Sequence, residues 1–408
     1  MFKIYPILNS QGDLVLEIAA KDNTDLIVAS VPVGTSVGSK EVVSLDLTSS
    51  VESINRYKLL KFLKDKLTDF VTPKEFDEAL IELDPTPNKQ YIGGNITLLF
   101  SVFYAKLYAR LTGLPLYKSL NQIYSSPLFN PRLSDTLVLF NFVNGGKHGN
   151  PSLVFQEFKV AFLGTRSILE QAQKASEFNN RIKQILRERL GFVSVGLEGG
   201  YTFPGNISTA LDLIMQVAES LSLIPQKEFV IFIDAAAGEF ATSSQGAVAY
   251  HVGENILTSD QLIDFYLQLI QKYPIKGIED PFAEDDIDAW KRLAAQTSSR
   301  GIVITGDDIT ATNSVFISDF ARANVINNVI IKPNQVGTLL ETYQAIHVAQ
   351  NAGITVTVSH RSRETNDNFL SHIIASCNPT YIKVGNVVRG ERVGKINELI
   401  RIENQLYD

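Results

Sequence analysis

Apolar residues follow two rhythms along the chain, and the change from one to the other divides it. Near the start, KIYPIL and LVLEIAA read as extended segments joined by the turn-like NSQGD, which predicts a hairpin. Over residues 55–71 (NRYKLLKFLKDKLTDFV), Leu59, Leu60, Leu63 and Leu67 fall on one helical stripe with lysines elsewhere. Thr72-Pro73-Lys74-Glu75 is a capping box with proline in the first helical position, so FDEALIEL is expected to be helical. Another helix is expected over 96–112, stopped by Gly113. The turn-rich SSPLFNPR (125–132) follows, and a boundary between two domains, 1–128 and 129–408, is placed there.

From Leu137 the pattern changes. A hairpin-like LVLFNFV and VFQEFKVAFL precede a long helix over 167–190, closed by Gly191. Apolar, β-rich runs (VSVGLE, VIFIDA, IKGIED, IVITGD, VIIK, ITVTVSH and YIKVG) then alternate with helical ones, one of them opened by the capping box Thr258-Ser259-Asp260-Gln261. Such alternation is the pattern of a βα barrel. Barrel active sites sit at the C-terminal ends of the strands. The residues ending these runs are Glu198, Asp234, Glu279, Asp307, Lys332, His360 with Arg361, and Lys383. All are ionisable, which plain solvation of strand ends does not require.

Composition narrows the reading. A chain of 408 residues exceeds one small core, and 45% hydrophobic with 20% charged residues is ordinary for a soluble globular protein. The net charge of −7 argues against a broad nucleic-acid surface, so an anionic substrate would need local cations. One cysteine, Cys377, excludes an intrachain disulfide and any multi-cysteine metal site, as suits a reducing cytosol. No signal peptide and no membrane-spanning segment are expected.

Asp234, Glu279 and Asp307 converge as three carboxylates that would repel one another without a hard divalent cation, Mg²⁺ before Zn²⁺. Each alone reads equally well as a helix cap; the three together favour metal. Asp308, the second acid of GDD, reads as a cap or a supporting partner. Lys332 ends VIIK before Pro333, and taken alone is a strand-end lysine reaching water. Beside a metal and Lys383 its ammonium form would be disfavoured, giving a lowered pKa and a general base. Glu198, in GLEGG, would serve as an acid if its carboxyl is kept protonated. Arg361 offers a bidentate fork for phosphate or carboxylate, with Ser362 beside it. His360 is a substrate contact or a satisfied structural histidine. The set describes metal-stabilised proton abstraction beside a carboxylate.

The motifs themselves resemble those of the enolase family over nearly the whole chain. IKGIEDPFAEDD and TGDDITATN resemble its metal-ligand segments, IIKPNQVGTL the segment of its catalytic lysine, and VSHRSRET its substrate-phosphate segment. RIENQL, NFVNGGKHG, FQEF and the loop VPVGTSVGSKE also fit the family. The resemblance implies an α/β protein: an N-terminal α+β domain followed by a modified TIM-type barrel of order ββαα(βα)6. It implies a cytoplasmic glycolytic and gluconeogenic lyase acting on 2-phosphoglycerate and phosphoenolpyruvate, with two Mg²⁺ per active site and a homodimeric or higher assembly. By position, Lys332 would be the base and Glu198 the acid, supported by Glu157. Asp234, Glu279 and Asp307 would hold the first Mg²⁺, and the loop around Ser36 would help hold the second. Arg361 and Ser362 would bind phosphate, while His148, Gln156, His360 and Lys383 would contact or orient substrate. A lysine base working with Mg²⁺ is the general pattern of enolase-superfamily sites. Departures include Val33, Asn9, Gln11, Lys147, Leu197, Arg363 (for a usual glycine, adding a cation beside the phosphate clamp) and Gly390. The alternatives are a related lyase on another carboxylate, or a non-catalytic protein that kept the fold.

Overall fold

Alternating side chains on the first strands build a small antiparallel sheet, and fully buried apolar strands build a closed barrel. The computed structural model describes residues 2–22, 25–34, 38, 40–45, 61, 65–66, 69–124, 133–244 and 247–406. The boundary segment 125–132 therefore lies outside the described residues, as does most of the helix expected over 55–71.

Strands β1 (Phe2–Leu8), β2 (Leu14–Asp22) and β3 (Asp25–Ser30) form an antiparallel sheet in that order. The hairpin joined by NSQGD is the one expected; β3 extends it. Helices α1 (Pro73–Leu83), α2 (Gly94–Thr112) and α3 (Leu116–Tyr124) follow. Thr72 and Glu75 close a reciprocal capping box on α1, and Gly113 ends α2 in the left-handed region, as their spacing predicts.

The barrel begins with β4 (Leu137–Asn144) and β5 (Glu157–Phe162), which pair antiparallel. Helices α4 (Ile168–Leu190) and α5 (Ile207–Ser220) come next, separated by the short β6 (Ser194–Val195) and β7 (Tyr201–Thr202). Then follow β8 (Phe229–Asp234), a three-stranded insertion of β9 (Ala241–Ser244), β10 (Ala247–Val252) and β11 (Asn255–Thr258), and α6 (Ser259–Lys272). The remainder alternates regularly: β12 (Ile275–Glu279), α7 (Ile287–Thr297), β13 (Val303–Gly306), α8 (Ser314–Arg322), β14 (Asn328–Ile331), α9 (Leu339–Asn351), β15 (Thr355–Ser359), α10 (Phe369–Cys377), β16 (Tyr381–Lys383) and α11 (Gly390–Leu406). The ring runs β4-β5-β8-β12-β13-β14-β15-β16 and closes by parallel pairing of β16 with β4. Only β5 runs against its neighbours, giving the ββαα(βα)6 order.

Closure leaves a small apolar core inside the ring, made of Leu139, Ala161, Val230, Phe232, Val303 and Tyr381. A far larger core lies between strands and helices and runs on into the N-terminal sheet and helices. Polar ties join the two parts: Lys89 pairs with Glu341 at 2.7 Å and Lys106 with Asp367 at 2.6 Å, while Asp77 accepts from Leu340 N at 2.9 Å. At Gly337 (φ +89°) a Cβ would sit 2.9 Å from Lys89 Cδ and Thr97 Oγ1, so the close approach of α2 requires glycine there.

Candidate active site

Parallel strands deliver their last residues to one end of the barrel, and the reversed strand delivers its first. Glu279 stands opposite Asp234, and Asp234 opposite Glu157, in the registers of β12, β8 and β5. Three acids thus lie abreast on adjacent strands. Lys383, the last residue of β16, reaches across to all of them: Nζ lies 2.6 Å from Glu279, 2.9 Å from Glu157 and 3.2 Å from Asp234. Lys159, two residues into β5, completes the cluster with ion pairs to Glu157 and Glu279.

Asp307 and Lys332 follow β13 and β14 and pair with each other. Asp280 accepts from the backbone N–H groups of Asp307 and Asp308, both at 2.9 Å, which fixes the turn carrying the GDD acids. Asp308 belongs to that same turn and lines the cavity beside Asp307. Asp234 and Asp307 line the mouth, with Glu279 just behind it against Lys383. Among the described residues, however, the groups whose ligand atoms fall within 4.8 Å of one another are His148 with Glu157 and Glu198, Glu157 with Asp234 and Glu279, and Asp280 with Asp307 and Asp308, so Asp307 is not gathered with Asp234 and Glu279.

Glu198 is placed differently from the expectation. VSVGLE is not a barrel strand: only Ser194 and Val195 pair, on the surface hairpin with β7. Glu198 instead occupies a glycine-rich turn, where a Cβ on Gly196 would lie 2.5 Å from His148 O. Asn141 donates to its Oε2 at 3.1 Å, His360 Nε2 is 3.4 Å away, and His148 Nδ1 stands 3.5 Å from both Glu198 and Glu157. His360 and Arg361 follow β15. Arg361 is held by both oxygens of Glu41 at 3.1 Å, and a Cβ on Gly34 would fall 1.6 Å from its Nη2. Arg363 does not add a cation beside that clamp; it turns outward to Asp13 at 3.2 Å, because Arg363 and Val33 pair backbone to backbone and point its side chain at the β1–β2 turn.

One cavity is lined by His148, Gln156, Glu157, Glu198, Asp234, Asp307, Lys332, His360, Arg361, Ser362 and Lys383. Glu279 lies just behind it, through Lys383, and Ser36 falls outside the described residues. Sequence reading missed Lys159 and Glu41. An inward lysine two residues into a buried strand, and an acid about three hundred residues from its arginine, leave no local signal.

Electrostatics follow from this crowding. Burial pushes Asp234 up to about 8, helped by Glu279 and opposed by Lys383. Burial also works against ionised Glu157, yet Lys383 and Lys159 hold it down to about 2. Glu198 was expected to act as an acid if kept protonated; despite burial, His360 and His148 hold it well below the carboxylate range. Lys332 was expected to have a lowered pKa. Burial does lower it, but the Asp307 carboxylate outweighs burial and leaves it raised. Carboxylates outnumber lysines in this enclosed space, and the ligand atoms that Asp234, Glu279 and Asp307 offer are all oxygens, now paired with Lys383, Lys159 and Lys332. That excess of buried negative oxygen fits a hard divalent cation.

Comparison with known proteins agrees across both parts of the chain. Residues 2–120 match the family model for the enolase N-terminal domain, and residues 136–408 that for the enolase C-terminal TIM barrel domain. The chain is 34% identical to the enolase of Anaplasma phagocytophilum (strain HZ), over 98% of this chain and 93% of that protein. It is 35% identical to the enolases of Ehrlichia chaffeensis (strain Arkansas) and Ehrlichia ruminantium (strain Welgevonden), over 98% of this chain and 94% of each.

Proposed function

The chain belongs to the enolase family and is a lyase, and from that premise we propose that it interconverts 2-phosphoglycerate and phosphoenolpyruvate. The observation that carries the reading is the opposition of base and acid across the barrel. Lys332 follows β14, four places around the ring from β5, whose Glu157 shares His148 with Glu198. A substrate between them would meet an amine on one face and a carboxyl on the other.

In the forward direction, Lys332 takes the proton from the carbon beside the substrate carboxylate. Glu198 gives a proton to the departing hydroxyl, which leaves as water. Two changes must precede this. Lys332 must give up its proton and its hold on Asp307, and Glu198 must gain a proton, which the negative charge of an arriving phosphorylated acid favours. Arg361 and Ser362 bind the phosphate, with Arg361 exchanging Glu41 for the substrate. His148, Gln156, His360 and Lys383 orient the rest. Asp234, Glu279 and Asp307 would hold one Mg²⁺ and the Ser36 loop a second, which together would neutralise the charge gathering on the substrate carboxylate. A cytoplasmic setting, a glycolytic role, a homodimer and a division at 128/129 belong to the same reading. No helix among the described residues is long and apolar enough to cross a membrane.

Phosphoenolpyruvate formation by the purified protein, with Mg²⁺ and then with chelator, is the test. Magnesium-dependent turnover is expected; a folded, metal-loaded protein without turnover would refute the proposal. One observation favours a second reading, a family lyase acting on a non-phosphorylated acid. Arg361 is already satisfied by Glu41, and an enzyme that never met a phosphate would keep that pair. Competition by inorganic phosphate separates the two, because only the first reading predicts inhibition.

A further inference from the structure

Arg392, near the start of α11, is fully buried, and its guanidinium serves the three residues that follow β15. Nη1 donates to Arg361 O at 2.6 Å and contacts His360 Nδ1, and Nη2 donates to Ser362 O at 2.7 Å. The nearest acid, Glu391, lies 3.5 Å from Nε, away from the histidine. Room for the arginine stem comes from Gly385 (φ +83°), where a Cβ would stand 3.0 Å from Arg392 Cδ.

A guanidinium carries N–H donors on every nitrogen and has no acceptor. The ring nitrogen facing it must therefore present a lone pair. A neutral imidazole then carries its single proton on the other nitrogen, Nε2, which is 3.4 Å from Glu198 Oε2. The opposite tautomer would set N–H against N–H at Arg392 and a lone pair against the Glu198 carboxylate. The backbone allows no escape by sliding the ring, because His360 N donates to Lys383 O and Ser359 Oγ to His360 O, both at 2.9 Å.

We propose that Arg392 is a positioning residue that fixes His360 as the neutral Nε2–H tautomer, so that the ring turns an N–H and not a lone pair toward Glu198 and is not a proton shuttle. The role at Glu198 rests on the enolase reading above; the tautomer itself does not. Burial, aided by the Arg392 charge, lowers the His360 pKa against the pull of Glu198, which agrees with a ring that stays neutral. Arg392 also holds the carbonyls of Arg361 and Ser362, so a single side chain sets the phosphate clamp and the histidine together.

The test is long-range ¹H–¹⁵N spectroscopy of the full chain, whose five histidines are few enough to resolve. His360→Asn identifies the His360 ring signals by difference. Expected is an unprotonated Nδ1 and a protonated Nε2 at every pH from about 6 to about 8. A proton on Nδ1, or on both nitrogens within that range, overturns the proposal. In Arg392→Met the ring should become a tautomer mixture, and kcat should fall about 10- to 100-fold. A folded Arg392→Met with the wild-type ring spectrum would overturn Arg392 as the cause. Should that variant not fold, the wild-type spectrum still decides the tautomer, and Arg392→Lys decides the cause. Arg392→Lys keeps the charge without the planar fork and should resemble Arg392→Met. A wild-type protein inactive on 2-phosphoglycerate refutes the function while leaving the ring spectrum readable; a wrong tautomer in an active enzyme refutes only this inference.

Discussion

The two ends of the barrel are made from the same strands and could hardly differ more. At the C-terminal end, buried acids and lysines interlock around a cavity. At the N-terminal end of the same strands, Leu139, Val230, Phe232 and Tyr381 close the ring with apolar contacts, and the Phe232 and Tyr381 rings meet edge to face at 5.2 Å. One strand, β8, carries both kinds of residue: Phe232 belongs to the apolar floor and Asp234, two positions on, to the charged mouth. Stability and chemistry are thus separated along the strand by a few ångströms. An apolar floor gains free energy by leaving water, whereas buried ion pairs gain little net and are costly to leave half-made.

Mutation at each end should have a different signature. Lys332→Ala should reduce turnover about a thousandfold or more in steady-state kinetics, and chemical denaturation should show some loss of stability because Asp307 loses its cation. Retained proton exchange at the substrate carbon in that variant would break the assignment of the base. Lys159→Met should strike both properties, removing the cation between Glu157 and Glu279 and costing about 4 kcal/mol of stability. A variant that is stable and active would show that the mouth tolerates bare acids. Phe232→Ala should cost about 3 kcal/mol in denaturation experiments and leave kcat of the folded enzyme unchanged. A selective loss of kcat there would join the two ends mechanically. The smallest effect is expected of Arg363→Gly, since its pair with Asp13 is partly exposed: under about 1 kcal/mol and less than a twofold change in KM.

Much of this contrast could be read from the sequence because a barrel strand buried on all sides is a short apolar run, and its end is marked where ionisable residues begin. FVIFID, IKGIE, VITGD and VIIK announce both the strand and the mouth. Capping boxes at Thr72 and Thr258 were equally visible, being satisfied within one turn. VSVGLE misled because a surface hairpin of two residues and a buried strand share the same alternation, and only burial separates them. The charge states were less legible than the positions. Sequence order places Lys332 beside acids but not in contact with a particular one, and Asp307 reverses the expected sign of its shift. Arg361 gave no hint of Glu41, nor His360 of Arg392, because those partners arrive from other parts of the fold.

Closure of the ring by β16 against β4 has a consequence for how the protein is made. Synthesis runs from the N-terminus, so β4 must wait, with most of one edge unpaired, until Tyr381–Lys383 has emerged. Lys383, which gathers Glu157, Asp234 and Glu279, arrives on that last strand. Until then these acids face one another with only Lys159 between them, and a nascent chain cannot work in part. A ribosome that stalls before β16 has emerged leaves an open sheet edge and an unbalanced cluster of charge. Such a product is one that quality control can recognise by its exposed strand alone.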